Sequence, residues 1–153
     1  MVRSGSERKR VILVDDEPAA ITNLRAVLDG FDALEVVAEV GDGETAIQKI
    51  IEVRPDIVFL DIEMPGVNGF EVAKETAHLN YQLVFVTAYS QYALDAFGTK
   101  AIDYLLKPVR PSLLEKCVRK MLFQEGLVLE ALERKSSAGE NLVLSDGKAT
   151  RVL

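Results

Sequence analysis

Short apolar runs alternate with amphipathic stretches along the chain from residue 10 to about residue 123. Apolar runs rich in Val, Ile, Leu and aromatic residues are typical of strands buried on both faces of a parallel sheet. The pattern predicts five strands, at Arg10–Asp15, Leu34–Val40, Asp56–Asp61, Gln82–Thr87 and Ala101–Leu105. Helix-like segments separate and follow them, at about residues 18–29, 43–53, 68–78, 91–98 and 111–124.

Turn and helix-start signals lie at the ends of these segments. Pro18 suits an early helical position, and Asn68-Gly69 marks a turn before the third helix. Regular alternation of strands and helices predicts an α/β fold, a three-layer sandwich around a parallel sheet. In such open sheets ligands bind at the carboxyl ends of the strands, so we expect the chemistry there.

The pattern changes after residue 124, so we expect one domain over residues 9–124. Residues 125–140 are expected to be an extended last helix and a linker. Residues 141–153 resemble two strands around Asp146-Gly147, a hairpin signal, and we interpret them as the start of a truncated second domain completed beyond Leu153. Residues 1–8 are expected to be a disordered tail or an artificial remnant.

Composition excludes several classes of protein. The net charge is −6, which argues against direct contact of this segment with nucleic acid. The apolar runs are far shorter than the roughly 18–20 residues that span a bilayer, so no membrane association is expected. No secretory signal is evident, and the one cysteine, Cys117, cannot form an internal disulfide. We therefore expect a cytoplasmic protein, with Cys117 buried in the last helix.

Polar residues stand at the ends of the predicted strands. Asp15 and Asp16 end the first strand, Asp61 the third and Thr87 the fourth, and Lys107 follows the fifth. In a parallel sheet these residues converge on one edge. Clustered carboxylates repel one another unless a cation accompanies them, and Mg²⁺ prefers carboxylate and phosphate oxygens.

Asp61 is the candidate nucleophile of this group. A carboxylate can attack phosphorus and form an aspartyl phosphate, with Lys107 neutralising charge and the Thr87 hydroxyl donating a hydrogen bond. A carboxylate at the end of the apolar run Ile57–Leu60 is hard to explain otherwise, but the other residues also have ordinary explanations. Asp15 and Asp16 suit the start of a helix, Thr87 suits a strand and Lys107 suits the surface. Only their combination indicates phosphoryl chemistry.

The segments 11–18, 56–70, 86–89 and 103–108 resemble a response-regulator receiver domain of CheY-like type, and the resemblance covers about residues 9–123. It implies a doubly wound, five-stranded parallel sheet of strand order 2-1-3-4-5, flanked by five helices in a flavodoxin-like sandwich. It also implies that a sensor histidine kinase phosphorylates Asp61. Mg²⁺ would be bound by Asp16, Asp61 and the backbone carbonyl of Glu63, with Asp15 assisting through water.

The same resemblance implies a switch that couples Thr87 to Tyr104, which turns inward when the phosphoryl group attracts the threonine hydroxyl. Glu63 and Tyr89 stand two residues after Asp61 and Thr87, and these positions border the phosphoryl site. We therefore expect Glu63 and Tyr89 to tune the lifetime of the aspartyl phosphate by controlling access of the hydrolytic water.

The segments 88–97 and 101–109 are similar to receivers of the LytTR class, whose output is a mostly β DNA-binding domain. This similarity implies transcription regulation, with DNA bound only by a domain beyond Leu153. It also implies a homodimer through the fourth helix, the fifth strand and the fifth helix. Most of the face formed by Tyr92, Ala93, Ala96 and Phe97 is expected to pack in the core.

Two other classes of protein fit less well. Aspartate-nucleophile phosphatases acting on small substrates use similar chemistry, but they place the nucleophile after the first strand and cover it with a cap. Flavodoxin-like cofactor binders need a phosphate-binding loop after the first strand, where this chain has Asp15-Asp16-Glu17. The preferred interpretation is a regulatory phosphoacceptor, an enzyme only toward its own phosphorylation and dephosphorylation.

Overall fold

The structure, a computed structural model, describes residues 8–126, with side chains to residue 123. The predicted hairpin at residues 141–153, most of the predicted tail and most of the predicted linker lie outside the described residues.

Five parallel strands form the sheet. They are β1 (Lys9–Val14), β2 (Leu34–Val40), β3 (Ile57–Leu60), β4 (Gln82–Thr87) and β5 (Ala101–Leu106). Their order is β2-β1-β3-β4-β5, which confirms the predicted topology. The central strand β3 is entirely buried, as a continuous apolar run in a parallel sheet requires. It is shorter than predicted because Asp56 and Asp61 lie just outside it.

Five helices connect or follow the strands. They are α1 (Pro18–Leu28), α2 (Gly43–Val53), α3 (Gly69–Glu75), α4 (Ala93–Ala96) and α5 (Pro111–Gly126). Asn68 caps α3 by accepting from the Glu71 amide at 3.0 Å, while the Glu71 carboxylate accepts from the Asn68 amide at 2.9 Å. This reciprocal capping box starts α3 at Gly69, eight residues after Asp61.

The third and fourth helices are shorter than the sequence predicts. Helix α3 ends at Glu75, and the hydroxyl of the next residue, Thr76, bonds the Val72 carbonyl at 2.8 Å and the Tyr81 hydroxyl at 2.6 Å. Helix α4 is a single turn preceded by a 3-10 turn at Ser90–Tyr92.

The expectation that most of the face formed by Tyr92, Ala93, Ala96 and Phe97 packs in the core is met by only part of that face. Ala96 is buried and Tyr92 is half-buried against the core, but Phe97 is 66% exposed. A single helical turn presents few positions to the sheet, because positions on one face recur only every three to four residues. The short α4 therefore leaves Phe97 outside.

The apolar core lies on both faces of the sheet. Alternate residues of the strands, such as Ile12, Val58 and Phe85, pack with buried residues of α2, α3 and α4. On α1, Ile21, Leu24 and Leu28 are buried, and that helix contacts β1 and β2. None of the helices within residues 8–126 combines the length and apolar character needed to cross a bilayer.

The chain divides into two compact units, one ending at Glu115 and one beginning at Lys116. The first contains the sheet, α1 to α4 and the first turn of α5. In the second, the described residues continue α5, where Cys117, Val118 and Met121 are buried. Burial of Cys117 agrees with its predicted place in the last helix.

Candidate functional site

Three aspartates meet at the carboxyl edge of the sheet. Asp15 and Asp61 directly follow the neighbouring strands β1 and β3, and the Asp61 amide extends their ladder by donating to the Val14 carbonyl at 3.0 Å. Their side chains are almost fully buried, whereas Asp16 is exposed. One carboxylate oxygen from each of the three lies within 4.8 Å of the others. The structure therefore brings together the three carboxylates that were predicted to meet because they stand at the ends of strands.

Lys107 reaches into this cluster from the fifth strand. Its amide donates to the Thr87 carbonyl at 2.8 Å, which anchors the residue just after β5. Its ammonium lies 2.8 Å from Asp15 Oδ2, 2.9 Å from Glu17 Oε1 and 3.2 Å from Asp61 Oδ2. The predicted counter-charge is thus in place. Sequence reasoning missed Glu17 as a third partner, although its position beside Asp15 and Asp16 could have indicated it.

The pKa values of this cluster reflect burial and charge. Burial raises the pKa of Asp15 above its usual 3.8, a shift that the Lys107 ammonium and the Glu17 amide partly oppose and the Asp61 charge reinforces. Burial by itself would lower the pKa of Lys107, but the surrounding carboxylates of Asp15, Glu17 and Asp61 raise it above the usual value. The hydrogen bond from Lys107 lowers the pKa of Glu17.

The donor set fits a hard divalent cation. Two carboxylates, those of Asp15 and Asp61, are buried here beside the single ammonium of Lys107, which lies 2.8 Å from Asp15 Oδ2. Buried like charges repel one another, and a further cation would offset that repulsion. Oxygen ligands alone are the preference of Mg²⁺ and Ca²⁺.

Thr87 and Tyr104, the predicted switch pair, are connected through Tyr89. Thr87 is fully buried at the end of β4, and its Oγ1 lies 3.4 Å from the Tyr89 amide, a long hydrogen bond. The hydroxyl of the half-buried Tyr104 donates to the Tyr89 carbonyl. The ring of Tyr104 is 6.4 Å from that of Phe85, its neighbour on β4. Sequence reasoning did not foresee this backbone link.

Glu63 lies on the loop between β3 and α3, two residues after Asp61. Its carboxylate is exposed and accepts a hydrogen bond from the Tyr92 hydroxyl. Sequence reasoning placed Tyr92 with the core and missed this contact, which joins segments 29 residues apart.

A largely apolar groove begins beside Lys107. It runs between α1 and the loop after β5, and Asp16 and Glu17 stand at its acidic end. Its apolar lining includes Ala19, Val27, Val109, Pro111 and Leu114.

The fold and this edge of the sheet define a class of signalling domain, and the sequence comparison agrees. A family model described as "Response regulator receiver domain" matches residues 11–119. The chain therefore belongs to the response regulator receiver family, and it is the receiver domain of a two-component response regulator.

Among particular proteins, the chain is similar to the transcriptional regulatory protein BtsR of Salmonella typhi. The two are 43% identical over 114 residues, which is 73% of this chain and 47% of BtsR. An uncharacterized response regulatory protein of Vibrio cholerae is 45% identical over 113 residues, covering 72% of this chain and 43% of that protein. The chain spans about half the length of the curated relatives it matches.

Solved receiver domains share the fold. The receiver domain of AraT, a response regulator from Geobacillus stearothermophilus, is 32% identical with a TM-score of 0.68, covering 84% of this chain and 98% of that domain. The response regulatory domain of mrkE from Klebsiella pneumoniae is 31% identical with a TM-score of 0.65, covering 70% of this chain and 93% of that one.

Proposed function

We propose that the chain is a phosphorylation-controlled switch in which Asp61 accepts a phosphoryl group from a phosphohistidine of a sensor histidine kinase. One observation carries this proposal: Asp61 lies at a strand end within an acidic cluster, with the Lys107 ammonium 3.2 Å from its Oδ2. This arrangement gives a nucleophilic carboxylate beside a fixed positive charge. The groove beside Lys107 is the surface on which we expect the kinase to dock.

The transfer needs little beyond positioning and electrostatics. An Asp61 oxygen attacks phosphorus, a P–O bond forms, the P–N bond to the kinase imidazole breaks, and the imidazole recovers a proton from solvent. Lys107 neutralises charge on the transferred group, and the Thr87 hydroxyl donates to one of its oxygens. Water later attacks the phosphorus and releases inorganic phosphate, restoring the Asp61 carboxylate. The domain thus catalyses only its own phosphotransfer and autodephosphorylation.

Asp16 and Asp61 would hold Mg²⁺, with the Glu63 backbone carbonyl as a further ligand and Asp15 acting through water. The ion, when bound, neutralises charge on the phosphoryl oxygens. The presence of two buried carboxylates beside only one ammonium supports this assignment. The three carboxylates keep their oxygens within reach of one ion.

The output follows from movement of Thr87 toward the phosphoryl group. Its contact with the Tyr89 amide and the Tyr104 bond to the Tyr89 carbonyl supply a route by which Tyr104 can respond and turn inward. The result is homodimerisation through α4, β5 and α5 in the cytoplasm. The similarity to BtsR, a transcriptional regulatory protein, supports transcription regulation. In this proposal a LytTR-like domain beyond Leu153 binds the DNA.

Incubation with acetyl phosphate and Mg²⁺, followed by intact mass measurement, tests the proposal. The wild type should gain one labile phosphoryl adduct, and Asp61→Asn should gain none. Asp32→Asn, a change at an exposed aspartate outside the site, should behave as wild type. An adduct on Asp61→Asn, no adduct on the wild type, or continuous turnover of a free phosphate ester would contradict the proposal.

A further inference from the structure

The contact between Glu63 and Tyr92 joins the loop after the phosphoacceptor strand to the segment after β4. The Tyr92 hydroxyl donates to Glu63 Oε2. Glu63 is otherwise exposed, and an exposed glutamate without such a partner samples many rotamers. The bond therefore restricts a carboxylate that stands two residues after Asp61.

Tyr92 can impose this restraint because its ring is held in place. The ring packs edge-on against Phe70 of α3 with centroids 5.9 Å apart, and against Tyr89 at 6.1 Å. Phe70 in turn packs on the buried Phe85 at 5.2 Å. Edge-to-face packing of this kind orients aromatic rings, so the Tyr92 hydroxyl has a defined position.

We propose that Tyr92 is a positioning residue that holds the Glu63 carboxylate on the post-β4 segment and so withholds it from the hydrolytic water, prolonging the aspartyl phosphate. The inference rests on the proposed phosphorylation of Asp61. Hydrolysis requires a water molecule aligned with phosphorus opposite the Asp61 oxygen. A released Glu63 carboxylate can accept a hydrogen bond from that water and orient it. While the Tyr92 hydroxyl donates to Glu63 Oε2, the Glu63 carboxylate is held away from that water.

The test measures decay of the phosphorylated domain in a double-mutant cycle. Wild type, Tyr92→Phe, Glu63→Ala and the double variant are phosphorylated with acetyl phosphate and Mg²⁺, separated from the donor and followed by intact mass. Tyr92→Phe keeps the ring packing and removes only the hydroxyl. Its decay should be about fivefold faster than that of wild type, a factor equivalent to about 1 kcal/mol.

The cycle separates action through Glu63 from a general structural effect. In the Glu63→Ala background, Tyr92→Phe should leave the decay rate unchanged, because the carboxylate it releases is absent. The control is Tyr81→Phe, which removes a tyrosine hydroxyl bonded to Thr76 before β4, at the opposite edge of the sheet. Tyr81→Phe should decay as wild type.

Each outcome decides the question. Equal or slower decay of Tyr92→Phe, or an acceleration that persists without Glu63, overturns the role of Tyr92. An acceleration that Tyr81→Phe also shows assigns the effect to stability and overturns it as well. Failure of the wild type to form any adduct is a different result, and it contradicts the proposed function itself.

Discussion

Within one cluster, the folded protein favours the charged form of Lys107 and disfavours the charged form of Asp15. The Lys107 ammonium is favoured in its charged form by the surrounding carboxylates. The Asp15 carboxylate is disfavoured in its charged form by burial, even with Lys107 at 2.8 Å. The cluster therefore holds an excess of buried negative charge, which lowers the stability of the folded domain when no cation offsets it.

Removing the Asp15 charge should stabilise the domain without divalent cation. Asp15→Asn is expected to raise the free energy of unfolding at neutral pH, because burial disfavours the charged form of this carboxyl in the folded state. The pKa of Asp15 is higher in the folded state than its ordinary 3.8, so the wild type loses stability as pH rises from 3.8 through the folded-state pKa. The stability that Asp15→Asn gains over the wild type should therefore shrink as pH falls toward 3.8. Urea denaturation measures this, with Asp32→Asn as control. A loss of stability at neutral pH would contradict the prediction.

Removing the Lys107 charge should have the opposite effect. Lys107→Met leaves Asp15 and Asp61 uncompensated and should lower the free energy of unfolding by about 2 kcal/mol at neutral pH. The loss should diminish on acidification as Asp15, with its raised pKa, becomes protonated. Glu17→Gln, which changes the exposed partner of Lys107, should have little effect in the same urea titrations. If Lys107→Met and Glu17→Gln lowered the free energy of unfolding equally, the uncompensated buried carboxylates would not be the cause of the loss.

At the scale of the secondary-structure elements, the connection from β3 to α3 fixes the position of Asp61. Gly69, the first residue of α3, donates its amide to the Ile62 carbonyl at 2.8 Å. A Cβ at this position would lie 2.3 Å from the Asp61 carbonyl oxygen and 2.8 Å from Ile62 Cα. Helix α3 therefore approaches the backbone of Asp61 and Ile62 more closely than any side chain permits.

Gly69→Ala should lower the free energy of unfolding by about 2 kcal/mol, the cost of overpacking against backbone that cannot move freely. It should also slow phosphorylation of Asp61, whose backbone must shift. Gly98→Ala is the matched control, because its Cβ would come no closer than 3.4 Å to the Asp95 carbonyl oxygen. Thermal unfolding and the acetyl phosphate assay measure both effects. Similar behaviour of the two variants would refute this steric explanation.

At the scale of the whole molecule, exposed apolar side chains mark the surface proposed for dimerisation. Leu94 and Phe97, in and just after α4, are 79% and 66% exposed, and Leu106 of β5 is 44% exposed. These residues belong to two of the three elements proposed for dimerisation. Exposed apolar groups contribute little to the folding free energy of the monomer, but they contribute strongly to the binding free energy of an interface that covers them.

Phe97→Ser should weaken the activated dimer about tenfold, the factor that 1.4 kcal/mol represents. Its unfolding free energy should change little, because the side chain is already exposed. Sizing with beryllofluoride and Mg²⁺ measures the dimer, and Ile51→Ser is the control at an exposed residue of α2. Unchanged dimerisation of Phe97→Ser, or equal weakening by Ile51→Ser, would place the interface elsewhere.

The sequence by itself determined the five strands, their parallel order by resemblance, and the residues that gather at the carboxyl edge. The strands and the edge residues are carried by local periodicity or by a strand end, which one segment encodes alone, whereas the strand order came from the resemblance to a family. Only the tertiary structure decided the short α4, the exposure of Phe97 and the contacts of Glu17 with Lys107 and of Tyr92 with Glu63. Those depend on distances between segments far apart in the chain, and no periodicity within a segment records them.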